Sequence, residues 1–217
     1  MNLWQDGIVA LLAAVGLASI IWTVVRAIVF AGPERRREIG FLLPAQGDGE
    51  HLEEQLGSLQ ALRQEYGAFG RALLVDCGLQ QGRDERDNAE LDFAPSLIDD
   101  VVVTHAHIDH SGRIPLLVKQ GFRGNIYCTR LTAQLLDIML RDSAHIQESD
   151  AAWENQKGQR AGKEPVEPLY TLVDVERALR HIVTCEYGQE LQVSDGIKAR
   201  FVDAGHLLGS ACVEMWL

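Results

Sequence analysis

His105, His107, Asp109 and His110 fall within one short run, Thr104-His-Ala-His-Ile-Asp-His-Ser-Gly112. Imidazole and carboxylate are ligands for transition metals, and four of them in six residues is metal-binding chemistry rather than a solvated polar loop. In an extended segment His105 and His107, two apart, point the same way. A turn into a helix then swings Asp109 and His110 toward a neighbouring point. That pattern suits two adjacent ions, one held by imidazoles and the other by a mixed carboxylate–imidazole set.

The elements that must position these groups are legible on either side. Asp100-Val-Val-Val-Thr104 reads as a buried strand, and Gly112 to Lys119 as a helix. The strand delivers the ligands to its C-terminal edge, where α/β proteins build their sites. Upstream, Leu73-Leu-Val-Asp-Cys-Gly-Leu-Gln-Gln-Gly82 is a second strand carrying Asp76. Downstream, Asp195-Gly196 signals a hairpin turn. Ile197, Ala199 and Phe201 then alternate with Lys198 and Arg200 as a half-exposed strand leading to Asp203-Ala-Gly-His-Leu-Leu-Gly-Ser-Ala211. Ser210 to Leu217 is the expected last strand.

Three of these segments together resemble the metallo-β-lactamase superfamily: the HxHxDH run, the Asp76 strand and the His206 segment. The last of them, with Asp142-Ser-Ala-His-Ile-Gln-Glu148 and Pro168 to Glu176, is closest to the β-CASP ribonuclease branch. The resemblance spans about residues 71–217. It implies that His105, His107 and His206 hold one zinc, that Asp109 and His110 hold a second and serve catalysis, and that Asp76 orients ligands from behind. The activity implied is zinc-activated water attacking an RNA phosphodiester. The family's bridging Asp, its distal His and the β-CASP cap have no counterpart before Leu217. The second site is therefore expected to be half built and cleavage impaired.

The fold class expected is α/β, a partial metallo-β-lactamase-like αββα sandwich preceded by a single transmembrane helix. Residues 8–30 are apolar for 18 positions before Arg26, close to a bilayer span, with Arg35, Arg36 and Arg37 beyond. The expectation is a membrane anchor over residues 1–32, a lipid bilayer contact through 8–30, and a cytoplasmic C-terminal part. Residues 33–70 read as a βαβ-like segment atypical of the family, with strands at Ile39–Pro44 and Arg71–Asp76 flanking a helix from His51 to Tyr66. Residues 71–217 form the third unit. A second reading stays open: a non-catalytic, membrane-anchored, chimeric or fragmentary protein retaining a partial metal site.

Further along, Gly124 to Cys128 reads as a strand, Leu131, Leu135, Ile138 and Met139 as a helix face, and Glu148 to Pro168 as a mobile polar loop. Leu172, Val175, Leu179 and Ile182 mark another helix face. The 47% hydrophobic content supports a real core. A net charge of −11 argues against a nonspecific polyanion binder but not against a nuclease that contacts phosphate through metals. Four cysteines without a CxxC pair argue for reduced thiols packed as small hydrophobes. His51, His145 and His181 are expected to be structural or solvated, and Asp203 is a candidate to steady His206.

Overall fold

The structure, a computed structural model, describes residues 40–44, 71–80, 82, 88–91, 93–159, 162, 164–194 and 196–216. All lie in the second of two units, Glu38–Leu217. Five strands form a parallel sheet in sequential order: β1 (Gly40–Pro44), β2 (Arg71–Val75), β3 (Asp100–Val102), β4 (Ile126–Thr129) and β5 (Ile182–Cys185). β1 pairs in parallel with β2 over Gly40↔Arg71 to Pro44↔Val75, as the apolar runs predict. The helix expected between them lies outside the described residues, as does His51.

Parallel strands need crossovers, and helices supply them. α1 (Ile108–Ser111) and α2 (Ile114–Lys119) join β3 to β4, while α3 (Arg130–Gln159) and α4 (Leu172–Leu179) join β4 to β5. A second, antiparallel sheet follows, β6 (Glu190–Ser194), β7 (Ile197–Asp203) and β8 (Ala211–Trp216), with β7 central.

Strand periodicity of two splits the core into two layers. Ala72 and Leu74, Val101 and Val103, and Ile126 and Cys128 face the helices, where they meet Leu117, Leu136, Leu140, Val175 and Ala178. The alternate residues Leu73, Val102 and Tyr127 face the other way onto Val193, Ile197, Ala199 and Phe201. Burial on both faces is what makes these strands near-continuous apolar runs. Tyr127 also donates its hydroxyl hydrogen to the Val193 carbonyl at 3.0 Å, stitching the two sheets. On β7 the outer residues Lys198 and Val202 are exposed. Among the described residues the sandwich therefore has three layers, helices on sheet on sheet, rather than four.

The described residues do not bear out the expected transmembrane helix or the single-pass location with a cytoplasmic C-terminal part. No helix among the described residues is long and apolar enough to cross a membrane. The 30-residue α3 carries Asp137, Arg141, Glu148 and Glu154 along its length, groups a bilayer core would not accept. The run 8–30 that suggested the anchor, and with it the bilayer contact, lies outside the described residues.

Two smaller expectations also change. Glu148 to Pro168 is not a loop throughout, because α3 continues to Gln159. Asn155 fastens the return of the chain, exchanging hydrogen bonds of 2.7 and 2.9 Å with the Val166 backbone. The buried face of α3 is Thr132, Leu136, Leu140 and Ala144, one position away from the expected stripe, and Ile138 is 65% exposed. Ile182 opens β5 instead of ending a helix.

Candidate metal centre

Three strand ends meet at one rim. β2 runs into Asp76, β3 into Thr104 to His107, and β7 into the loop that carries His206. His105 Nε2 lies 3.1 Å from His107 Nδ1, and His206 Nε2 lies 3.3 Å from the same nitrogen. One nitrogen from each ring falls within 4.8 Å of the other two, the only such group of three or more donors among the described residues. A tetrahedral divalent ion with bonds of about 2.0–2.1 Å sets its nitrogens about 3.3 Å apart, so the spacing fits a metal.

The protonation pattern fits as well. Thr104 Oγ1 donates to Asp76 Oδ2 at 2.8 Å and has no second hydrogen to give. The 2.9 Å contact from His105 Nδ1 to that oxygen therefore has the ring as donor, which leaves the Nε2 lone pair free to face the other two imidazoles. His105 is buried, and burial lowers its pKa below the usual histidine value. The neighbouring His110 pushes the same way, Asp76 opposes, and His107 and His206 add smaller lowering effects. A neutral ring is the form that ligates metal.

Asp76 is the hub behind this face. Its Oδ1 accepts the Thr104 N–H at 2.8 Å, and its Oδ2 also accepts from His110 Nδ1 at 2.8 Å. The residue sits at φ 60°, the left-handed region that Asp tolerates better than most side chains. His110 Nε2 then lies 3.8 Å from Asp109 Oδ2, and the His110 and His105 rings are 4.1 Å apart between centroids. Asp109 is exposed and His110 half-buried. This pair stands beside the triad, a carboxylate and an imidazole on the same rim.

Backbone contacts hold the two loops together. Cys77 N–H donates to the His110 carbonyl at 2.7 Å, and Arg113 N–H to the Cys77 carbonyl at 2.9 Å. Arg113 Nε donates to the Gly78 carbonyl at 2.7 Å. Gly78 permits this contact, since a Cβ there would fall 1.6 Å from the Asp109 carbonyl oxygen. Cys77 beside the hub is fully buried, and burial pushes its thiol up to about 12.

The roles of Thr104, Gly78 and Arg113 are not visible in the sequence reading. Thr104 directly precedes His105, and a hydroxyl in that place is the available signal. Asp203 does not bond the His206 ring; its Oδ1 accepts the Gly205 N–H at 2.9 Å and shapes the turn. His145 is exposed on α3, and His181 Nδ1 donates to the Gly124 carbonyl at 2.7 Å, a structural bond.

The sequence profile described as Metallo-beta-lactamase superfamily matches residues 67–181. Ribonuclease TTHA0252 of Thermus thermophilus is 40% identical over 147 residues, 67% of this chain and 30% of the ribonuclease. Transcription termination factor FttA of Methanocaldococcus jannaschii is 34% identical over 146 residues, 66% of this chain and 21% of the factor. The chain thus spans less than a third of the length of these curated relatives. A flavo di-iron protein variant from Thermotoga maritima superposes on 66% of this chain and 27% of its own, with a TM-score of 0.40 at 17% identity.

Proposed function

The chain belongs to the metallo-β-lactamase superfamily, in its β-CASP branch, and from that premise we propose that residues 71–217 carry a metal-dependent ribonuclease-type hydrolase site. The observation that carries this reading is the convergence of His105 Nε2, His107 Nδ1 and His206 Nε2 at metal-ligand spacing. In this reading those three imidazoles hold one zinc, and Asp109 with His110 contributes to a second. When bound, the ions supply Lewis-acid activation of water and of a phosphoryl oxygen.

The remaining work belongs to the chain's own side chains. Asp76, through Thr104 and directly through His110, fixes which ring nitrogen carries hydrogen, so the other nitrogen faces the ion. Asp109, exposed at the rim, is the carboxylate best placed to meet a substrate that enters from solvent. RNA is the substrate class because the relatives are named for ribonuclease activity and transcription termination.

Metal content and turnover test the proposal together. Purified protein is expected to retain at least one equivalent of zinc and to cleave a labelled single-stranded RNA. Chelation should abolish both, and His107→Ala should lower the metal content and abolish cleavage. Wild-type protein that binds no divalent ion, or cleavage that persists in His107→Ala, would overturn it.

A further inference from the structure

His206 presents a problem of positioning that its two partners do not. His105 and His107 leave the end of a buried strand, whereas His206 is exposed and sits on a loop of the other sheet, 99 residues from His107. Something must hold that loop against the first sheet. Within the loop, Ser210 Oγ accepts the His206 and Leu207 N–H groups at 3.1 and 3.0 Å, and Ser210 N–H donates to the Leu207 carbonyl at 2.8 Å. Residues 206–210 therefore move as one unit.

That unit is fastened to the first sheet at two places. The Ala211 N–H donates to the Thr104 carbonyl at 2.9 Å, next to His105. The other fastening comes from the junction of β4 and α3. Thr129 Oγ1 lies 2.7 Å and Thr132 Oγ1 2.8 Å from the Gly209 carbonyl oxygen. Thr132 N–H donates to Thr129 Oγ1 at 3.2 Å, and the two hydroxyl oxygens are themselves 3.0 Å apart, so the Thr129 hydrogen is shared between the Thr132 hydroxyl and the carbonyl. Both threonines are buried, Thr132 completely. Gly209 is at φ +86°, and a Cβ there would stand 2.5 Å from the Thr132 nitrogen, so the loop lies flush against the helix start.

We propose that Thr129 and Thr132 are positioning residues for the metal centre: through the Gly209 carbonyl they set where His206 stands relative to His105 and His107. The proposal rests on the metal-centre reading above. Removing one hydroxyl lets the loop drift, and an ångström of drift converts a three-histidine site into a two-histidine site. The effect acts on metal affinity and coordination, with the rest of the fold intact.

Titration of the metal-free protein with cobalt(II), followed by its visible absorption, tests this, with circular dichroism confirming the fold of each variant. Thr132→Val is expected to weaken cobalt binding roughly 10- to 100-fold and to lower the intense tetrahedral absorption. Thr132→Ser, which keeps the hydroxyl, should bind like the wild type. Thr129→Val leaves one hydroxyl on the carbonyl and should lose roughly three- to tenfold; it also serves as the decisive variant if Thr132→Val does not fold. In a His206→Ala background either valine change should cost less than about twofold, because the clamp acts only through that ring. The proposal is overturned if the folded valine variant binds cobalt as the wild type does, if serine is as damaging as valine, or if the loss persists in the His206→Ala background. A wild type that binds cobalt no better than His107→Ala refutes the metal-centre reading itself, and the clamp with it.

Discussion

At the scale of the residue, Asp76 decides the most, because three donors depend on it: the Thr104 N–H, the Thr104 hydroxyl and His110 Nδ1. Asp76→Ala leaves all three without their acceptor and should cost about 2–4 kcal/mol in urea unfolding, together with a roughly 10- to 100-fold loss of metal affinity by calorimetry. Asp100 is the opposite case. Burial raises its pKa from 3.8 to about 6, against a backbone hydrogen bond from Asn125 that lowers it. The folded chain holds that proton longer than the unfolded one, so the contribution of Asp100 to stability is fullest below pH 4 and is lost as pH rises through about 6. Asp100→Asn keeps the acceptor for the Asn125 N–H and should raise stability at pH 7 by about 1–2 kcal/mol while flattening the loss between pH 4 and 6. The clustering of His105, His107, Asp109 and His110 was legible in the sequence because it is dense and local. The relay through Thr104 was not, since a threonine before a histidine acquires a role only when Asp76 arrives from another strand.

At the scale of the element, strands were easier to read than helices. Val101 to Val103, and Ile197, Ala199 and Phe201, announce their burial by composition and by alternation, and they lie where those patterns put them. α3 was misread at its end and on its face. Polar residues from Glu148 onward resemble a loop, yet a long helix lying on one side of a sheet needs few apolar positions per turn. Its true inner row, Leu136, Leu140 and Ala144, is spaced by four. Leu140→Ala should therefore cost about 2–4 kcal/mol by urea denaturation, whereas Ile138→Ala, on the exposed side, should change stability by less than about 0.5 kcal/mol. The contact between the β2 and β3 loops is stricter still. Gly78→Ala drives a methyl into the Asp109 carbonyl, and soluble yield and metal uptake should both collapse.

At the scale of the whole molecule, the donors belong to two sheets: His105 and His107 follow a strand of the parallel sheet, and His206 follows a strand of the antiparallel one. An ion bound there bridges the layers and binds only the folded form. Saturating zinc at about 100 times Kd should raise the unfolding free energy by about 2.7 kcal/mol, read as a higher Tm that returns to the metal-free value on chelation. His206→Ala should remove most of that increment. The layered fold itself was readable from the motif strands, but how the two sheets lock together was not, because Tyr127 and Val193 are 66 positions apart.

The same span of sequence dictates when the centre comes into being. A loop that must close over 99 residues is entropically late, so the parallel strands and their crossovers can assemble before the third imidazole arrives. A bound ion should then act on the route out of the native state and not on the route in. Zinc added to refolding protein should leave the refolding rate unchanged while slowing escape from the native state, a signature stopped-flow traces would separate directly.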